Sequence, residues 1–313
     1  RALVTGAGGF VGRHLAATLG RLGWEVVSLG PRLSSRRHYT IDDVESTSAI
    51  AAGLEETQPA VVFHLAGRAP PASDEELQRV NVGYAAALRA AIRRCRPETR
   101  LLLMGSAAEY GVAAAAEGPL TEVTPAAPVS AYGRSKLEQT TDALAEVPSG
   151  LRVTVCRPFN ILGLGMPRAL ALADWALQVR EMRAGQRARV LRVGDLTTSR
   201  DFVMVDDVVQ ALVRLALSEA AIGEVVNIAS ERPTSLRSLL DRLLAAADLP
   251  VDVQVDPARL RGQDARCVIG SNHRLRALTG LAPGEIPDAF FRDLVGLTEG
   301  LANAAAPVEP TRP

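Results

Sequence analysis

Eight residues near the start, Thr5-Gly6-Ala7-Gly8-Gly9-Phe10-Val11-Gly12, limit what this chain can fold into more than any other stretch. The apolar pair Leu3-Val4 ahead of them reads as the end of a strand, and Val11, Leu15 and Leu19 recur behind them at helical spacing. A strand must therefore become a helix within a few residues, and the glycines at 6, 9 and 12 fall where that turn is sharpest. Without a Cβ at those positions the backbone can close up on a pyrophosphate at the positive end of the helix. Glycine triplets are common in turns; set between a strand and a helix, this one points to dinucleotide binding by Gly6, Gly9, Phe10, Val11 and Gly12.

The rest of the first half repeats the alternation. Apolar runs at 25–29, 60–65, 101–105 and 151–157 are short and β-rich, as strands buried on both faces are. Helical patterns lie between them at 11–22, 48–56, 77–94 and 132–144. This predicts an α/β fold: a Rossmann-type doubly wound parallel sheet, with ligands at the carboxyl ends of its strands. The loops 5–12, 64–68, 105–110 and 158–160 all leave strands at that edge, which places Leu65, Ala66, Gly67 and Pro158 near the dinucleotide. Asp43-Val44 is expected to flank the adenine.

Beyond 159 the pattern changes to helices at 167–184, 205–218, 235–247 and 272–278, with strands at 189–193 and 225–229. The expected division is a dinucleotide domain over 1–158, with 203–229 packing back on it. A smaller mixed α/β substrate lobe over 159–301 and a flexible tail over 302–313 complete it.

Lys plus Arg and Asp plus Glu each number 35, so no global field recruits nucleic acid or a membrane. Cys95, Cys156 and Cys267 are scattered and odd in number, against a disulfide framework or a metal site. The chain opens inside its first strand, so a few residues are expected to precede it, and no secretory signal or long apolar span is read. The expectation is a soluble cytoplasmic protein.

The chemistry is suggested by Tyr132-Gly133-Arg134-Ser135-Lys136, which puts a phenol and an ammonium on one face of a helix. A tyrosine pKa of about 10 is too high for ready proton exchange at neutral pH. Lowering it by about 3 units takes roughly 4 kcal/mol, which a fixed lysine one turn away can help supply. Ser106, just after a predicted buried strand, completes a candidate catalytic set.

Together, the segment Thr5 to Gly12, Ser106, Tyr132 and Lys136 resemble the extended short-chain dehydrogenase/reductases that act on nucleotide sugars. The likeness extends through Gly105-Ser-Ala-Ala-Glu-Tyr-Gly111, Pro128-Val-Ser-Ala-Tyr-Gly133, Arg157-Pro-Phe-Asn160, Val193-Gly-Asp195, Ser199-Arg-Asp-Phe202 and Ile269-Gly-Ser-Asn272. The resemblance implies that Tyr132 gives a proton to a sugar carbonyl. Lys136 tunes the phenol and holds the nicotinamide ribose, and Ser106 hydrogen-bonds the same carbonyl. It also implies ribose, carboxamide or sugar contacts from Asn81, Pro158 and Asn160, with a helix cap as the plainer role for Asn81. Dimerisation through helices 77–94 and 132–144 in a four-helix interface is implied as well, with Ala85, Ala86, Ala87, Ala90 and Ala91 allowing close approach.

Dehydratases of this family carry Asp-Glu or Ser-Glu in the two places after the serine or threonine, because eliminating water needs an acid and a base. Here those places hold Ala107 and Ala108, which leaves a substrate-facing pair with no proton to move. The cysteine of the epimerase-reductases is missing too, and strand alternation is expected to turn Glu109 away. Simple ketone reduction fits what remains, as does 4-epimerisation with a tightly held NAD. A non-catalytic NADP-sensing protein is the remote alternative. The second strand ends Ser28-Leu29-Gly30-Pro31-Arg32, without the acid that binds an NAD ribose. Arg32, with Arg36 or Arg37, offers a bidentate partner for a 2′-phosphate and so favours NADPH. By resemblance the substrate is a nucleotide-diphosphate sugar, GDP-linked and bearing a 4-keto group. Arg200 holds its phosphates, Arg259 or Arg261 forms a second clamp, and Arg192 lies against base or phosphate.

Overall fold

The structure is a computed structural model and describes residues 1–31, 37–111, 118–259 and 266–296. Its strands are β1 (Ala2–Thr5), β2 (Val26–Gly30), β3 (His38–Thr40), β4 (Val61–His64), β5 (Arg100–Met104), β6 (Val153–Pro158), β7 (Asn160–Leu162), β8 (Val190–Val193), β9 (Ser199–Met204), β10 (Val225–Ile228), β11 (Pro233–Ser235), β12 (Asp252–Val255) and β13 (Cys267–Val268). Its helices are α1 (Phe10–Arg21), α2 (Thr47–Thr57), α3 (Asp74–Leu77), α4 (Tyr84–Cys95), α5 (Ala131–Ala145), α6 (Ala171–Arg183), α7 (Val205–Leu217), α8 (Leu236–Ala247), α9 (His273–Thr279) and α10 (Asp288–Leu294).

Seven strands form one sheet in the order β10-β6-β5-β4-β1-β2-β3, parallel throughout. The alternation of side chains along each strand explains why the runs are apolar without a break. Ala2, Val4, Phe63 and Leu102 point to one face, where Leu15 and Leu19 of α1 and Val208, Val209 and Leu212 of α7 cover them. Leu3, Val62, Leu101, Leu103, Val153 and Val155 point to the other, beneath Ile50 and Leu54 of α2, Tyr84, Leu88 and Ile92 of α4 and Ala143 of α5. Both faces are dry, as a parallel sheet requires. The expected doubly wound α/β fold is what forms. The edge strand β3 was not foreseen: three residues of mixed polarity carry too little pattern to read.

The chain divides into two compact units. The first takes Arg1–Ile161, Arg200–Pro233 and Cys267–Glu285. Segment 267–285 belongs with the sheet because α9 packs on α7 and β10, with Leu275 buried in the same cluster as α7. The expected division returned 203–229 to the first domain and left 267–285 in the smaller lobe, whereas this unit takes both 200–233 and 267–285. Asp201 of β9 is fully buried in this unit and accepts hydrogen bonds from the backbone N–H groups of Ser230 (2.8 Å), Glu231 (3.0 Å) and Gly270 (3.2 Å).

The second unit is formed by the described residues of 162–199, 234–266 and 286–296. Strand β8, expected from the sequence, pairs in parallel with β12 in a separate two-stranded sheet. Gln178 of α6 locks onto it by donating to the Arg192 carbonyl and accepting from the Arg192 N–H, both at 3.0 Å. Arg242 of α8 holds α10 through Asp288 (2.5 Å) and the Phe291 ring (4.5 Å). No helix among the described residues is long and apolar enough to cross a membrane. The proposed tail over 302–313 lies outside the described residues.

Candidate active site

The glycine turn is tighter than the sequence alone could show. Gly6 has φ +69°, and a Cβ there would come within 2.7 Å of the Ala66 nitrogen. A Cβ on Gly12 would stand 2.1 Å from the Gly6 carbonyl oxygen, and one on Gly9 3.1 Å from it. The Gly9 N–H closes the turn on that carbonyl at 2.9 Å. Gly9 caps α1 without a side-chain hydrogen bond, and the first turn, with Phe10 and Val11, holds no acid. Its N–H groups are left to meet an anion, and nothing in the turn neutralises the positive end of the helix. The cradle fits a pyrophosphate.

The loop after β4 lies directly beside this turn. Leu65 and Ala66 donate their N–H groups to the Thr5 carbonyl and Thr5 Oγ1, each at 3.2 Å. An ideal Cβ on Gly67 would be 3.2 Å from Asn81 Oδ1 and 3.6 Å from Lys136 Nζ, so loop, helix and lysine meet there. Asn81 is neither helix cap nor open ligand contact. It sits in a π-helical stretch, Gln78–Gly83, between α3 and α4, and is fully buried. Its Oδ1 accepts from the Arg68 N–H (2.8 Å), and its Nδ2 donates to the Arg68 carbonyl (3.1 Å) and Ser135 Oγ (2.9 Å). The amide thereby ties the β4 loop to α5, a role no spacing rule announces.

Ser106 follows β5 in extended conformation and opens a 3₁₀ turn, Ala107–Glu109. Its Oγ accepts from the Ala108 N–H at 3.1 Å, and Ser106 lies close enough to Tyr132 to draw the phenol pKa down. Ala107 and Ala108 are half-buried in that turn. Since 107–109 form a turn and not a strand, alternation does not apply to Glu109. Its carboxylate folds back to accept from the Ser106 N–H (2.8 Å) and from Arg157 Nε (2.7 Å), with no exposure. The Ser-x-x-Glu spacing of a capping box was present in the sequence and is the signal that could have revealed this.

Ser130 caps α5 through the Gly133 N–H at 3.0 Å and so sets Tyr132 in the first turn and Lys136 one turn on. Burial pushes the Tyr132 phenol up, the Ser106 hydrogen bond draws it down, and the Glu109 charge adds to the rise. Lys136 does not supply the expected lowering. Its Nζ donates to the Met104 carbonyl (2.6 Å) and Gln139 Oε1 (3.0 Å), and burial brings its own pKa down to about 8, against the pull of Glu109. Gln139 went unread, although its i+3 spacing from Lys136 puts it on the same face.

The remaining expected residues are more dispersed. Arg32, Arg36 and Arg261 lie outside the described residues. Arg37 is paired with Glu25. Asp43 accepts the Glu45 N–H at 3.0 Å in an exposed turn, and Val44 is buried in the core under α2. Pro158 ends β6, buried and in register with Ile228. Asn160 is exposed, its Nδ2 donating to the Asp201 carbonyl at 2.9 Å, and Arg200 is half-buried on β9. In the second unit Arg192 is exposed on β8. Arg259 pairs with Asp174 at 2.6 Å and Asp256 at 3.6 Å, so a phosphate clamp there must displace two carboxylates.

A model of the NAD dependent epimerase/dehydratase family matches residues 2–229. The chain is 33% identical over 290 residues to GDP-6-deoxy-D-mannose reductase of Pseudomonas aeruginosa, spanning 90% of this chain and 92% of that protein. It is 30% identical over 264 residues to dTDP-6-deoxy-L-talose 4-dehydrogenase (NAD(P)(+)) of Kitasatospora kifunensis, spanning 82% of each. A solved structure of RMD from Pseudomonas aeruginosa complexed with NADPH superposes with a TM-score of 0.82 at 30% identity, over 94% of this chain and 98% of that one. With a seven-stranded parallel sheet, a glycine cradle at its first turn and a serine and a tyrosine near a buried lysine, the chain belongs to the NAD dependent epimerase/dehydratase family, the extended short-chain dehydrogenase/reductases.

Proposed function

We propose that this protein is an NADPH-dependent reductase of a 4-keto nucleotide sugar, converting GDP-4-keto-6-deoxy-D-mannose to GDP-D-rhamnose or acting on a close analogue. The observation that carries the reading is the turn after Ser106. Ala107 and Ala108 offer no proton, and the next carboxylate, Glu109, is turned back onto Ser106 and Arg157. That leaves Tyr132 and Ser106 for the reacting oxygen. The similarity to a GDP-6-deoxy-D-mannose reductase supports the choice of substrate.

The bound nicotinamide would supply the hydride. Gly6, Gly9 and Gly12 with the first turn of α1 would hold its pyrophosphate, and Lys136 beside Gly67 its ribose. Arg32, by its chemistry, would pair with a 2′-phosphate. Tyr132 gives its proton to the carbonyl oxygen as that oxygen gains charge, and the Ser106 hydroxyl orients the same oxygen. In this reading Tyr132 is the proton donor; the 4-epimerase alternative would use the same phenol as a base as well. We assign the sugar nucleotide to Asn160, Arg192, Arg200, Arg259 and Arg261, and the active form to a homodimer joined through α4 and α5.

The test is direct. Purified protein given GDP-4-keto-6-deoxymannose should consume NADPH, and Tyr132→Phe should turn over about 10²–10⁴ times more slowly while still binding NADPH. Absence of turnover by the parent protein would falsify the substrate assignment. Denaturing the purified protein and identifying the released nucleotide separates the alternative, because one NAD per chain marks an epimerase.

A further inference from the structure

The ion pair behind Ser106 is used by none of the chemistry above, and it is built with unusual completeness. Glu109 and the Arg157 side chain come from the turn after β5 and from β6, with exposures of 0% and 6%. One carboxylate oxygen takes the Ser106 N–H at 2.8 Å and the other takes Arg157 Nε at 2.7 Å. The guanidinium lies 5.0 Å from the centre of the Tyr110 ring, and the Tyr110 hydroxyl donates to Asn227 Oδ1 of β10 at 2.7 Å. Three neighbouring elements thus anchor one carboxylate. Gly105 makes room for it: a Cβ there would stand 2.6 Å from Glu109 Oε1 and 3.1 Å from Val155. The carboxylate is also close enough to raise both Tyr132 and Lys136.

We propose that Glu109, clamped by Arg157, is a positioning residue that fixes the backbone of Ser106 so that its hydroxyl meets Tyr132. The Ser106 carbonyl takes the Glu109 N–H at 3.1 Å and its Oγ takes the Ala108 N–H at 3.1 Å, so its own N–H is the backbone group left for the carboxylate to fix. A carboxylate acceptor makes that bond charge-assisted, about twice as strong as a neutral one. Burial raises the Glu109 pKa, and the Arg157 guanidinium opposes that rise and so favours the ionised acid. The inference rests on the reading that Ser106 and Tyr132 share the reacting oxygen, and it explains why a carboxylate so near the site takes no part in moving protons.

Two variants probe it. Glu109→Val with Arg157→Met removes the whole pair and strands no buried charge; Gly105→Ala keeps both charges and pushes the carboxylate off the Ser106 N–H. Each should lower kcat by about 100-fold, with KM for NADPH little changed. Placed on Ser106→Ala, each should cost no more than about twofold beyond that change alone, because all act through one hydroxyl. An equal loss in both backgrounds would mean that the pair only stabilises the fold, and the proposal would be overturned. A crystal structure of Gly105→Ala decides the geometry whatever the substrate. Ser106 Oγ should move away from the Tyr132 hydroxyl, and finding it in place overturns the proposal. If the parent protein reduces no keto sugar, the functional reading fails while this crystallographic arm still judges Glu109.

Discussion

Tyr132 and Lys136 share a helix face as their spacing predicts, yet two of the ammonium's three donors go to Met104 and Gln139, and the phenol sits high. At this scale the sequence shows which groups are near, and burial decides what they do. His64, at the end of β4, is the plainest case. It is fully buried, bonded through Nδ1 to Thr5 Oγ1 at 2.8 Å, and packed edge-on against Tyr84. Burial, with Lys136 and Arg89 nearby, lowers its pKa from 6.5 to about 3. Below pH 6.5 the unfolded chain therefore takes up a proton that the folded chain refuses. Stability should fall with pH from 6.5 toward 3, by up to about 1.4 kcal/mol per pH unit from this group. Urea denaturation of the parent and of His64→Asn at pH 7 and pH 5 checks this: the parent should lose the more stability between the two.

The elements that build the site tolerate little change where backbones meet. In α1, a Gly12→Ala Cβ would lie 2.1 Å from the Gly6 carbonyl and 2.8 Å from Ala7 Cα. Neither atom belongs to a side chain that can swing aside. The turn must open, so NADPH affinity measured by fluorescence titration should drop at least about tenfold, and stability by about 1–3 kcal/mol. In β9, Asp201 satisfies three backbone N–H groups from two other segments. Asp201→Ala leaves all three without their acceptor, two of them buried, and should cost about 3 kcal/mol or more in chemical denaturation, with Asp201→Asn milder. Neither β9 nor Asp201 was legible, since a six-residue strand with Arg and Asp at its centre lacks the apolar run that marks the main sheet. The π-helical stretch holding Asn81 was hidden for a related reason: its composition differs little from that of a regular helix.

Across the whole molecule, alanine played a different part from the one foreseen. Ala85, Ala87 and Ala91 are buried inside this chain, where they let α4 approach α2 and the sheet. Ala86 and Ala90, one turn apart on α4, remain nearer the surface. The proposed dimer must use them with α5. Sedimentation should find the parent dimeric and Ala86→Arg/Ala90→Arg monomeric; a monomeric parent sinks the assembly.

Six of the seven strands of the main sheet, the helices between them and the glycine turn could be read from the chain alone, because periodicity and the missing Cβ act over a few residues. The two bland positions after Ser106 were legible there for the same reason. Which polar groups are consumed by the protein itself depends on segments tens of residues apart: Glu109 with Arg157, Asn81 with Arg68 and Ser135, and Lys136 with Met104. Only folding brings those partners together, and only burial, which removes water as a competitor, makes their hydrogen bonds decide how the site is set.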